Sequence, residues 1–160
     1  MIKLIKKLFS ESGVTDVNDK QFGNEHQNGE DRKLELATCI LFVAIGRADS
    51  DFDEDEKNFV ISVMKETYNL DEKYVEELIE LSEKEVSESD SIYEYTTTID
   101  NSFSNEQKFE LLKNLWRLIF VDEKLDKYEE RLVKKIGTLL NVEYRDIIEA
   151  KLIIKEEKAT

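Results

Sequence analysis

Apolar residues recur at helical spacing along most of the chain from about residue 31 onward. The segment 31–48 is apolar almost all round over residues 37–45, which predicts a helix at the centre of a bundle. Amphipathic helices are predicted to begin at Asp53 and near Asp71, because apolar residues follow each start every three or four positions. A shorter predicted helix, over about 91–103, connects this half to the rest.

The second half of the chain has the same kind of pattern. Ser104 and Gln107 have the spacing of a capping box, in which each side chain binds the other residue's backbone amide. Three further helices are predicted after this box, the first of them carrying Trp116 on its apolar face. The chain should therefore contain about seven helices, and the predicted fold class is all-α.

The pattern is duplicated. Placing residues 40–65 over 113–138 aligns apolar positions in both copies, including Val43 with Trp116 and Val60 with Val133. A one-residue slip then brings further pairs into register, namely Leu70 with Val142 and Val75 with Ile147. The duplication predicts two pseudo-symmetric helical repeats that form one bundle. Trp116 should be buried in it.

Composition agrees with this class. The 160 residues include no proline and only five glycines, the two residue types that most often interrupt helices. A hydrophobic content of 40% is enough for the core of one domain. The chain carries 23 Lys and Arg against 37 Asp and Glu, a net charge of −14. Such a chain repels phosphate backbones, so we expect no binding to nucleic acid.

Four segments are expected along the chain. Residues 1–9 form a basic amphipathic segment, and residues 10–30 are rich in Gly and Asn and predict a flexible linker. The helical domain covers 31–154, and 155–160 form a charged tail. Because the basic segment is amphipathic, three behaviours are open: contact with an anionic membrane surface, docking on the domain or on a protein partner, and disorder.

Two acidic turns occupy equivalent places in the repeats. They run over 48–56 and 121–129, and both read apolar-Asp-x-x-apolar-Asp-x-x-Glu. In each turn the last Asp and Glu have the spacing of an N-terminal capping box, which explains four acids structurally; these are Asp53, Glu56, Asp126 and Glu129.

Capping does not explain the first acid of each turn. Asp49 and Asp122 come where a helix ends, and an anion there costs on the order of 0.3–1 kcal/mol. Three compensations are open. Each carboxylate could accept bonds from the amides that begin the next helix, pair with Arg47 or Lys124, or bind a cation.

A cation would have only oxygen ligands, which suit Ca²⁺, Mg²⁺ or Mn²⁺. The favoured site is the first turn, with the ligands Asp49, Asp51, Asp53 and Glu56. A weaker site would use Asp122, Asp126 and Glu129 of the second turn, where an ammonium replaces the middle acid. The first turn is not an EF-hand, because it has Glu54 where glycine is expected and Val60 where a bidentate Glu is expected.

These paired turns, each between two helices, resemble the TerB-like (tellurite-resistance protein B) family over roughly 31–152. The resemblance implies a seven-helix fold of two repeats and carboxylates that hold divalent cations. It also implies a role in metal or envelope stress and phage defence, with related domains in membrane-anchored co-chaperones. The chain departs from the family where Ser50 and Glu123 replace the glycine that commonly follows the first Asp.

No catalytic set is evident. His26 is the single histidine and falls in the predicted linker, and Cys39 falls in an apolar run where it predicts a small core residue. We therefore expect a non-enzymatic, cytoplasmic protein, peripheral at the inner face of the membrane if residues 1–9 bind there. The expected partner is a protein of unknown identity in a stress complex. The alternative is an interaction scaffold or co-chaperone-like adaptor without metal.

Overall fold

Seven α-helices and one 3-10 turn make up the part of the chain that the computed structural model describes, residues 29–48, 52–88, 91–122 and 127–159. These residues include no strand, so the all-α prediction is confirmed. The helices in chain order are α1 (Gly29–Gly46), α2 (Glu54–Tyr68), α3 (Glu72–Glu88), α4 (Tyr93–Ser102), α5 (Asn105–Ile119), α6 (Lys127–Leu139) and α7 (Tyr144–Ala159). The 3-10 turn, Phe120–Asp122, follows α5.

Helix α1 lies at the centre of the bundle. It contacts α2, α3, α4, α5 and α6, and each of its residues from Leu36 to Gly46 is buried. Its buried hydroxyl, on Thr38, donates to the carbonyl of Leu34 at 2.8 Å and so costs little to bury. The prediction of a central helix, apolar almost all round, is confirmed.

The remaining helices follow the repeat. Helix α3 packs chiefly against α1, and α7 packs chiefly against α5. Helix α2 also contacts α5, while α6 reciprocally contacts α1. Helix α4 connects the halves and packs on α1 and α6. Equivalent helices therefore make equivalent contacts, as two pseudo-symmetric repeats require.

The one-residue slip in the alignment of the two repeats falls at the ends of α2 and α6. Asn69 and Asn141 are the two described non-glycine residues with positive φ, at 56° and 63°. Asparagine tolerates this left-handed conformation and commonly ends a helix there. The two residues are equivalent only in the register of the slip, which aligns Leu70 with Val142. Each second helix is thus followed by a left-handed asparagine, one position after Tyr68 in α2 and two positions after Leu139 in α6.

Trp116 is fully buried, as predicted. Its indole Nε1 donates to the carbonyl of Ile147 at 3.1 Å, which joins α5 to α7. The ammonium of Lys151 lies 5.5 Å from the ring centroid, a cation–π distance. The ring is therefore fixed by a hydrogen bond as well as by packing.

Two helix ends differ from the prediction. Helix α1 begins at Gly29 and ends at Gly46, about two residues earlier at each end than expected. Helix α7 continues to Ala159, through residues expected to form a charged tail. The extension has a physical reason, because Ile154 is buried and Glu157 accepts two hydrogen bonds from Arg117, at 2.9 and 3.0 Å.

Candidate functional site: two acidic turns

The described end of the first acidic turn, Asp53 to Glu56, forms a capping box. Asp53 precedes α2 in an extended conformation, and its Oδ1 accepts from the backbone amide of Glu56 at 2.9 Å. In return, Oε1 of Glu56 accepts from the amide of Asp53 at 3.0 Å. The capping interpretation of these two acids is confirmed. Asp49 and Asp51 lie outside the described residues.

The acids of this turn lie at different depths. Asp53, Glu54 and Asp55 are exposed, whereas Glu56 keeps only 3% of its surface exposed. Burying an ionised carboxylate is costly unless hydrogen bonds compensate it, and the amide of Asp53 supplies one. Glu56 is thus a structural anchor, while the neighbouring carboxylates face solvent.

The end of α1 shapes this turn through a glycine. A Cβ placed on Gly46 would lie 2.4 Å from the Phe52 ring, closer than any real contact. The absence of a side chain therefore lets Phe52 pack directly on the last turn of α1. The ammonium of Lys57 lies 5.8 Å from the centroid of the same ring. Phe52 in this way attaches the start of α2 to the central helix.

The second turn is described only in part. Asp122 ends the 3-10 turn, but its side chain lies outside the description, as does the whole of Asp126. Glu129 occupies the position equivalent to Glu56 and is 1% exposed. The two repeats therefore bury a glutamate at equivalent positions of α2 and α6. The predicted cap by Asp126 stays a prediction.

The described carboxylates of the first turn supply only part of a cation site. Asp53 and Glu56 offer the oxygen donors that Ca²⁺, Mg²⁺ and Mn²⁺ prefer, although each already accepts one hydrogen bond. Within the described ranges no three His, Cys, Asp or Glu residues are grouped closely enough to hold a metal. Two carboxylates do not fill the coordination sphere of Ca²⁺, which takes six to eight oxygens. A site here would require Asp49 and Asp51.

The cations near the first turn have a described partner on α3. Arg47 lies 3.4 Å from Glu83, and Lys57 lies 3.7 Å from the same carboxylate. These partly exposed pairs contribute at most about 1 kcal/mol each. They connect both sides of the turn to α3. Whether Arg47 also pairs with Asp49 stays open, since Asp49 is outside the described residues.

Buried acid–tyrosine pairs were missed by the sequence analysis. Tyr95 on α4 donates a hydrogen bond to Oε2 of the fully buried Glu85 on α3, and Oε1 of Glu85 has no hydrogen-bond partner within the described part of the chain. Tyr74 donates to the buried Glu35 at 2.9 Å. Burial raises the pKa of both phenols, so both remain protonated donors. In the sequence, the feature that could have predicted these pairs is an acidic residue at a core-facing position of a helix.

The environment of Cys39 argues against a chemical role for its thiol. The thiol is fully buried in α1, and this burial raises its pKa to about 12. A thiol protonated at neutral pH is a poor nucleophile and a poor metal ligand. Cys39 is therefore a core residue, as predicted. Among the described helices, none is both long and apolar enough to cross a membrane.

The fold and the turns define a class, the two-repeat helical bundle with an acidic turn in each repeat. Comparison with protein families narrows the class, because residues 35–152 match the family described as Tellurite resistance protein TerB. The match covers most of the chain, and the chain belongs to this family. Neither curated proteins nor solved structures gave a significant match.

Proposed function

We propose that the protein is a non-enzymatic, acidic interaction module of the TerB family that works in a membrane-associated stress complex, at the cytoplasmic face. The observation that carries the proposal is the pair of acidic turns in a chain of net charge −14. Such turns attract a partner with a basic surface and steer its approach. The family match supports a role of the tellurite-resistance type in general.

A pull-down from the host with the intact chain tests the interaction. The informative variant neutralises two exposed acids of the first turn, by Asp53→Asn and Asp55→Asn. A matched control neutralises exposed acids elsewhere, by Glu72→Gln and Glu143→Gln. A partner should be retained by the wild type and the control, and lost by the turn variant and at high salt. Equal retention by all three proteins would contradict the proposal.

The proposal includes a cation at the first turn, held weakly by Asp49, Asp51, Asp53 and Glu56. The expected dissociation constant is on the order of 10⁻⁴–10⁻³ M, at the weak end of protein calcium sites. Thermal stability should rise with Ca²⁺ or Mg²⁺ at fixed ionic strength. The rise should vanish in Asp49→Asn and persist in Asp122→Asn, since Lys124 weakens the second turn.

The second candidate function is a scaffold or co-chaperone-like adaptor without metal. The specific observation in its favour is the Asp53–Glu56 capping box, which explains both acids without an ion. The cation experiment separates the candidates. Identical shifts in wild type, Asp49→Asn and Asp122→Asn would reduce the cation effect to general screening, and the adaptor would then remain.

The membrane part of the proposal concerns residues 1–9, whose three lysines attract anionic lipid at about 1 kcal/mol each. Sedimentation with anionic vesicles should pull down the intact chain but not a chain that lacks these residues. Equal sedimentation of the two proteins would exclude this anchor and leave the acidic turns untouched.

A further inference from the structure

A groove of about 420 Å³ opens between α1, α2 and α5. Its lining includes the buried Phe42 and Leu111 and the half-buried Leu34, Val63 and Phe103. The three half-buried side chains of this lining therefore offer apolar surface to an occupant, while Phe42 and Leu111 form the floor beneath them. A few hundred cubic ångströms is the size of sites that hold several side chains or a small ligand.

A second hollow, of about 350 Å³, continues the groove toward the start of α1. The two hollows share Leu34, Thr67 and Tyr68, and together we call them the acidic groove. Their exposed acids are Asp31, Glu106 and Glu110, whereas the fourth acid, Glu35, is buried and accepts from Tyr74. None of the described lining residues is Lys or Arg. Glu110 also pairs with Lys113, outside the lining, at 2.8 Å. The acidic groove is thus an apolar depression with a negative rim.

We propose that residues 1–9 of the same chain dock in the acidic groove as an amphipathic helix. The segment places Ile2, Ile5 and Leu8 on one helical face, and its charged residues are Lys3, Lys6 and Lys7. Its apolar face matches the apolar lining of the groove. Its lysines match the acids of the rim, so both surface properties complement those of the groove.

The covalent connection is long enough for this segment to reach the groove. Leu34 lies five residues after Gly29, the first described residue, which is about 7.5 Å along the axis of α1. Residues 10–28 can span at most about 65 Å when fully extended, far more than this distance. A tethered segment experiences an effective concentration on the order of millimolar. Even a weak contact is therefore populated within one molecule.

Docking has a consequence for membrane contact. The apolar face of residues 1–9 cannot bind the groove and a lipid surface at the same time. The groove therefore sequesters the segment until an anionic surface competes for it. The docking itself does not depend on membrane binding, because it rests on the groove and the tether alone. Failure of the vesicle experiment would leave it standing.

Disulfide trapping in solution, without vesicles, tests the docking in the full chain. Ser10→Cys places a thiol directly after the segment, and Thr67→Cys places one in the exposed lining of the groove. The matched control is Ser62→Cys, which is exposed on the same helix outside the groove. The native Cys39 is fully buried and does not compete. A disulfide requires Cα atoms within about 7 Å, so its rate reports proximity.

Docking predicts that the Ser10–Thr67 pair oxidises within the monomer on the order of tenfold faster than the Ser10–Ser62 pair. Reversing the segment's charge, by Lys3→Glu, Lys6→Glu and Lys7→Glu, should reduce the fast rate to the control rate without changing the melting temperature. Equal rates at the two sites would overturn the proposal. Disulfide-linked dimers that increase with concentration would also overturn it, since a second copy would then fill the groove.

Discussion

The two repeats fill equivalent core positions with side chains of very different size. In the first repeat these are Cys39, Val43, Met64 and Val75, and in the second they are Leu112, Trp116, Gly137 and Ile147. All eight residues are buried. The first repeat places its largest side chain of this set on its second helix. In the second repeat, the large side chains of this set are on the first and third helices, and the position on the second helix is a glycine.

Gly137 shows how this exchange works. A Cβ at this position would lie 2.5 Å from Cδ1 of Ile147 and 3.4 Å from Cδ2 of Leu112. Ile147 and Leu112 therefore occupy the space that a side chain as large as Met64 would need at position 137. Cores tolerate such exchanges when the total volume is kept. The duplicated fold preserves the filling of the core, while the residue at each position is free to differ.

Buried charge is also handled differently. In the register of the slip, Glu85 of the first repeat corresponds to Glu157 of the second. Glu157 is half exposed and pairs with Arg117, whose equivalent in the first repeat is Ala44. Without that guanidinium, the fully buried Glu85 takes its hydrogen bond from Tyr95 on the connecting helix. Helix α4 therefore supplies the donor for a carboxylate that is buried in the first repeat and half exposed at the equivalent position of the second.

The largest expected effect comes from the tryptophan that distinguishes the second core. Trp116→Ala should lower the free energy of unfolding by roughly 3–5 kcal/mol, because it leaves a cavity and removes the bond to Ile147. Val43→Ala, at the equivalent position, should cost clearly less, since it removes fewer buried atoms. Urea unfolding followed by circular dichroism measures both. A tryptophan emission that is red-shifted in the native protein would contradict this assignment of the core.

The next effect tests the two glutamates. Tyr95→Phe removes the hydroxyl that binds Glu85 and should cost about 2–3 kcal/mol, because a buried carboxylate loses a hydrogen-bond donor. Glu157→Gln, which removes the equivalent charge in the second repeat, should cost less than about 1 kcal/mol, since that pair is exposed to water. Urea titrations of both variants give the two values. Equal costs would mean that the different burial of Glu85 and Glu157 does not change what their partners contribute to stability.

The exchange of volume can be tested at Gly137. Gly137→Ala should destabilise by about 1 kcal/mol, because the contact with Ile147 costs more than the gain in helix propensity. In a protein that already carries Ile147→Ala, the same change should instead stabilise by about 0.5–1 kcal/mol. Gly29→Ala serves as a control, since no contact within 4 Å of a Cβ there is found among the described residues. If Gly137→Ala still destabilised the protein that carries Ile147→Ala, the Ile147 side chain would not be what excludes a Cβ at position 137.

Most of the fold could be predicted from the sequence. Apolar periodicity predicted the central helices, the spacing of Ser104 and Gln107 predicted the capping box, and the alignment of the repeats predicted the burial of Trp116. The extension of α7 was missed. It depends on the pairing of Glu157 with Arg117, residues forty positions apart whose proximity no local pattern indicates.

The candidate site was predictable only where local rules act. Asp53 and Glu56 form the expected box, since capping is a contact between residues three positions apart. The depth of Glu56 and the bond between Tyr95 and Glu85 depend on how whole helices pack, which the sequence pattern does not contain. The cation depends on Asp49 and Asp51 and stays a prediction.

The smallest expected effect decides whether the two turns are built alike. Asp53→Ala should cost about 1 kcal/mol, because the amide of Glu56 loses its capping acceptor. Asp126→Ala should cost the same if Glu129, buried like Glu56, belongs to a second capping box. Glu76→Ala, at an exposed position within α3, is the control and should stay within about 0.5 kcal/mol of the wild type. Urea unfolding without divalent cations measures all three, so that no bound ion contributes. A neutral Asp126→Ala beside a costly Asp53→Ala would mean that the symmetry of the repeats ends before their turns, and that Glu129 is buried for a reason of its own.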